Sequence, residues 1–242
     1  MKELLFASCV PMLWVISTVE LFFTVLLFSR YMKTKNPIFL LSGMICVGLT
    51  YDALALALGT VMADGPVLLA ISRLRYVFHG GLIPLIFAIC AYALDFNKVW
   101  KTAAWVFTGV LIVLGVADGC IRQIGVQTVA GVCRYVSVSA PAWAEIVNSL
   151  LTFGTVIPMM IAGIVVWVKQ KTPHLFLSAF LMFLFSGLGA ACLELMFYIS
   201  MYGELLMALF LYFYASRKAK EKNYRPCQWQ GRLPYICVAK SV

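Results

Sequence analysis

The stretch PVLLAISRLRYVFHGGLIPLIFAICAYAL, Pro66 to Leu94, is apolar at both ends and carries Arg73, Arg75 and His79 in its first half. A membrane helix needs about 20 predominantly apolar residues, and this stretch supplies them. A charge at the bilayer centre costs about 2.5–3.5 kcal/mol on insertion scales, so it is kept where something compensates it. Two arginines and a histidine this close together therefore mark an interior that is paired, water-lined or filled by a ligand.

Composition agrees with a membrane environment. Hydrophobic residues make up 63% of the 242, charged residues 12%, and the mean hydropathy is +0.94. A soluble domain has about 45–50% apolar and about 25% charged residues. The chain reads as a polytopic membrane protein of the cell membrane, surrounded by membrane lipids. Its first apolar run, Leu4–Phe28, outlasts the roughly 7–15 residues of a signal-peptide core and has no small-x-small cleavage site, so it reads as a first membrane helix.

Seven spans are expected: Leu4–Phe28, Pro37–Gly59, Pro66–Leu94, Thr102–Asp118, Ala142–Val168, His174–Ala191 and Leu195–Ala215. One helix from His174 to Ala215 would run about 63 Å, twice the hydrocarbon thickness, so a hairpin is required near Gly187–Gly189 and Glu194. Lys and Arg number fourteen in the loops and tail of one side and three on the other, with Arg73 and Arg75 inside the membrane. The positive-inside rule then places the N-terminus outside and the C-terminus in the cytoplasm. The expected architecture is all-α, a seven-helix transmembrane domain over residues 1–216 and a basic cytoplasmic tail over 217–242. The net charge of +9 is topogenic on this reading, and no nucleic-acid partner is expected.

No CxxC pair occurs among the eight cysteines. Cys46, Cys90 and Cys192 are expected as packed thiols. Cys120 and Cys133 share the longest outside loop, Gly119–Pro141, where an oxidising compartment lets them close a disulfide. Cys227 and Cys237 fall in the cytoplasmic tail.

Helical rise brings polar residues of four spans to one outer-leaflet layer: Asp52, Arg73, Arg75, Asn148 and Glu204, with His79 deeper at roughly 20 Å. Ser72, Arg75 and His79 share one stripe, and Arg73 points about 200° from Arg75. Arg73 is expected to meet another carboxylate or to reach the outer interface. Gly48, Asp52, Ala55 and Gly59 form a small-residue stripe around one acid, which suits a buried pair of Asp52 with Arg75. Glu204 is expected near His79 or Arg73. Pro84, below Gly80–Gly81, and Pro158 are expected to bend their helices. Glu20 stands alone in the inner third of the first span, a candidate for a cytoplasmic proton path.

Known seven-helix plans fit poorly. A retinal protein needs a lysine in the last span, and Leu195–Ala215 has none. The chain resembles intramembrane zinc hydrolases of the ceramidase and adiponectin-receptor type in size and helix count, but those use three histidines, and only His79 and His174 exist here. No cofactor is expected; zinc held by His79, Asp52 and Glu204 is the alternative, since zinc accepts carboxylates. The leading expectation is an outward-facing pocket of Asp52, Arg73, Arg75, His79, Asn148 and Glu204 that binds a lipid or small amphiphile. The alternatives are a hydrolase of a lipid-like substrate, with His79, Asp52 and Glu204 catalytic, and a proton-coupled transporter.

Overall fold

The computed structural model describes residues 2–224. Its helices are α1 (Lys2–Thr34), α2 (Pro37–Leu58), α3 (Pro66–Leu82), α4 (Leu85–Ala93), α5 (Lys98–Ile121), α6 (Ala142–Gln170), α7 (His174–Ala190) and α8 (Met196–Tyr224). Strands β1 (Gln123–Val129) and β2 (Val132–Ser139) form an antiparallel hairpin between α5 and α6. Among the described residues six helical stretches are long and apolar enough to cross a membrane, with α3 and α4 together making one of them. α7 is apolar but shorter, at 17 residues or roughly 25 Å. The all-α membrane bundle is therefore present. The Cys227 and Cys237 positions, with the rest of the tail beyond Tyr224, lie outside the described residues.

Local chemistry sets the boundaries. Asn36 and Asn97 cap α2 and α5 by accepting from the N–H groups of Ile38 and Trp100, both at 3.0 Å. Pro84 breaks the third span: α3 ends at Leu82, α4 starts at Leu85, and Ile86 N–H turns to Ile83 O at 3.1 Å. Pro158 and Pro11 lie inside helices that run on without a break, so the kink expected at Pro158 is not a second interruption. The hairpin required between the last two spans forms over Ala191–Leu195, with a 3₁₀ turn at Leu193–Leu195. α7 and α8 then pack antiparallel, and Ser178 Oγ donates to Met207 O at 3.1 Å.

The lower core gathers Phe39, Ile45, Leu49, Ile86, Met207 and Tyr214 from α2, α4 and α8, among others. α3 and α5 approach until glycine is the only residue that fits: a Cβ on Gly80 would stand 2.3 Å from Gly115 O. Gly119, one turn along, lies against the Tyr76–Val77 backbone in the same way.

The hairpin departs from the open loop expected over Gly119–Pro141. Its turn, Ala130–Gly131, has positive φ at both residues, +53° and +76°, the geometry of a type I′ hairpin turn. Val132 is fully buried with Cys9, Leu13 and Leu195, and Cys133 N–H donates to Gly59 O at 2.8 Å. The hairpin thus sits on the ends of α1, α2 and α8. Cys120 and Cys133 stand as free thiols in this structure, Cys120 exposed on the last turn of α5 and Cys133 drawn to the end of α2.

Candidate functional site

Asp52 and Arg75 meet as expected. Arg75 Nε donates to Asp52 Oδ1, and both side chains are withdrawn from solvent. The small-residue stripe on α2 explains the approach, since a Cβ at Gly48 would already touch Leu82 of α3 at 3.3 Å. His79, one turn below Arg75, places Nδ1 3.7 Å from Asp52 Oδ2. The carboxylate therefore faces a guanidinium with one oxygen and an imidazole with the other.

Arg73 departs from expectation. Among the described residues it meets no carboxylate; its Nη1 donates to the carbonyls of Gly119 and Cys120, at 3.3 and 3.1 Å, and to that of Arg122. These are carbonyls at the C-terminal end of α5, where a cation is favoured by the helix dipole. Arg73 is a helix-end clamp between α3 and α5. Asn148 also leaves the cluster, since its side chain is exposed on the surface of α6.

Glu204 is 3% exposed, within electrostatic reach of Asp52, Glu20 and Arg75, and its Oε2 has no hydrogen-bond partner among the described residues. Glu20 is the residue that sequence reading misplaced. It is fully buried, neither carboxyl oxygen has a hydrogen-bond partner among the described residues, and it interacts with Asp52. α1 continues to Thr34, so Glu20 stands fourteen residues above its lower end. Asp52 stands fifteen above the start of α2, and both distances are roughly 21–23 Å. Thr24 and Thr50, bridged at 3.0 Å, hold the two helices in that register just below.

Above this layer the hairpin covers the bundle. Tyr76 OH, from α3, accepts from Ser137 N–H at 3.1 Å, and Tyr135 OH donates to Asp64. Arg122, paired with Asp118 at 2.8 Å, reaches Ser137 Oγ at 3.0 Å. Arg134 lies 3.9 Å over the Phe197 ring and feels both Arg75 and Asp52; burial, then Arg75, pulls its guanidinium down to about 10. The strands β1 and β2 thus cover this end of the bundle.

A cavity of about 280 Å³ lies beside the layer, walled by Leu49, His79, Ile86, Thr155, Ser186 and Met207 among others. Thr152, Phe153, Phe183 and Gly187 border it and are exposed on the outer surfaces of α6 and α7. His79 is the ionisable group among the residues that line it. Thr152 and Thr155 hydroxyls are spent on carbonyls of their own helix, at 2.8 and 2.5 Å. Among the described residues no three His, Cys, Asp or Glu side chains converge as a metal site, so His79, Asp52 and Glu204 do not assemble the zinc set considered above. Compared with protein-family models and with curated proteins, the sequence matches none of them.

Proposed function

We propose that this protein binds a small amphiphile within the membrane, its apolar part in the cavity and its polar head at His79 beside the Asp52–Arg75 pair. The observation that carries the reading is an apolar cavity of about 280 Å³ whose one ionisable wall residue backs onto a buried ion pair. Pockets for small ligands are mostly apolar with a few placed polar groups. With about 30 Å³ per water-sized group, the space takes roughly ten heavy atoms. That favours one short chain over a diacyl lipid. Entry is lateral, between the outer halves of α6 and α7, because the hairpin roofs the bundle. Asn148 stands one turn above Thr152 at that portal, where it meets the headgroup region. The reading includes seven spans in the cell membrane with α7 as the short one, the N-terminus outside and the C-terminus in the cytoplasm.

Native mass spectrometry on gently solubilised protein, supplied with single-chain carboxylic acids and alcohols, tests the reading. Wild type retains one equivalent, and His79→Ala and the cavity-filling Ser186→Phe both lose it. Loss of a charge-assisted hydrogen bond worth about 1.5–3 kcal/mol weakens retention at least about tenfold in His79→Ala. A wild type that retains nothing, or variants that retain as much, overturns the reading. Turnover of an ester analogue by wild type and not by His79→Ala would replace binding with hydrolysis.

A further inference from the structure

Three carboxyl groups, Glu20, Asp52 and Glu204, come from α1, α2 and α8 into one buried neighbourhood. The guanidinium among them, Arg75, is already bonded to Asp52. Glu20 is fully buried and Glu204 is 3% exposed, and among the described residues Oε1 and Oε2 of Glu20 and Oε2 of Glu204 have no hydrogen-bond partner. Low-dielectric surroundings do not tolerate an unpaired ionised carboxylate. Protons or a metal cation must supply the missing positive charge. A cation needs several oxygens around it at once, and among the described residues no three acidic, histidine or cysteine side chains come together in that way. Protons meet the requirement without such a cage.

We propose that Glu20 and Glu204 are a proton-binding pair, each holding an exchangeable proton inside the membrane. The groups facing the pair are few. α2 supplies Asp52 and the Cys46 thiol, and α3 supplies Arg75; His79 and the hairpin's Arg134 act on the pair only through Asp52 and Arg75. α7 carries no charged side chain beyond His174 at its start. Release of the Glu204 proton creates a second anion within reach of Arg75 and so competes with Asp52 for it. The pair is thereby linked to the ion pair that backs the cavity. Hydroxyl groups flank it along the same helices: Ser8, Tyr198 and Tyr202 form a chain toward the outside at 3.0 and 2.5 Å, and Thr24 meets Thr50 on the other side. The proton site stands whether or not the cavity takes an amphiphile.

Infrared spectroscopy of the full chain in lipid, titrated from mildly acid to alkaline buffer, reads the protons directly. At neutral pH the wild type shows carbonyl-stretch bands of protonated carboxylic acids, and Glu20→Gln and Glu204→Gln each remove one. A second measurement guards against variants that misfold. The folded protein holds protons that a denatured chain, its carboxyls open to water, would release at neutral pH, so the apparent melting temperature of wild type in detergent falls as pH rises. The Glu20→Gln/Glu204→Gln double variant loses that dependence. Spectra at neutral pH without protonated-acid bands, or bands unchanged in both variants, overturn the proposal. So does a melting temperature that follows sodium and not pH, which would make the site a cation site.

Discussion

At the scale of single residues, the charge arrangement in the membrane is decided by what each group meets. Asp52 is the hinge of the site, because it holds Arg75 and faces His79. Removing one partner of a buried pair leaves the other uncompensated and costs about 3–5 kcal/mol, whereas an apolar pair of similar volume is often neutral. Asp52→Ala is therefore expected to destabilise the folded protein in detergent by about 3–5 kcal/mol, and Asp52→Leu/Arg75→Met to recover most of that loss. Unfolding monitored by denaturant or heat checks both; equal losses in the two variants would show that the pair is not the source. This pairing was legible in the sequence, since an acid on a stripe of small residues faced an arginine at the same depth. Arg73 was legible only as pointing elsewhere. Its partners are backbone carbonyls, which carry no signature in sequence. Glu20 looks shallow from the apolar run that ends at Phe28, but the helix continues through Arg30 and Lys33 to Thr34 and sets it level with Asp52.

At the scale of elements, the helices announced themselves by apolar length and the hairpin did not. β1 and β2 alternate weakly, and their turn is Ala-Gly, not the Asn-Gly or Asp-Gly that usually marks such a turn. What binds the hairpin is tertiary: Val132 in a pocket between helices, Tyr76 OH under Ser137, and Tyr135 OH on Asp64. The last of these is pH-sensitive. The hydrogen bond to Asp64 holds Tyr135 neutral and pushes its phenol above its ordinary value. The latch is complete below the ordinary phenol range and is lost as pH rises through the raised value. Amide exchange over residues 123–139 is expected to quicken at strongly alkaline pH in wild type, while Tyr135→Phe exchanges faster at neutral pH and shows no further step from this residue. Identical profiles for the two proteins would remove the latch from the account.

For the whole molecule, charge and helix contacts decide how the bundle stands in the membrane. Membrane crossing follows from composition alone, but neighbour relations do not, because lipid and protein interior are equally apolar to a leucine. Backbone approach carried that information instead, at Gly80–Gly115 and at Gly163 against Phe176, where no Cβ fits. Orientation rests on a separate asymmetry, the fourteen Lys and Arg of one side against three on the other. Cys120 tests it, because its thiol is exposed at the hairpin end of α5, whereas Lys171 marks the opposite end of the bundle between α6 and α7. A membrane-impermeant maleimide applied to intact cells is expected to modify the wild type and not Cys120→Ser. Lys171→Cys in the Cys120→Ser background is expected to react only after permeabilisation. The reverse pattern would invert the bundle, put the hairpin roof in the cytoplasm, and place the lateral portal in the inner leaflet, so that any amphiphile would come from the cytoplasmic side.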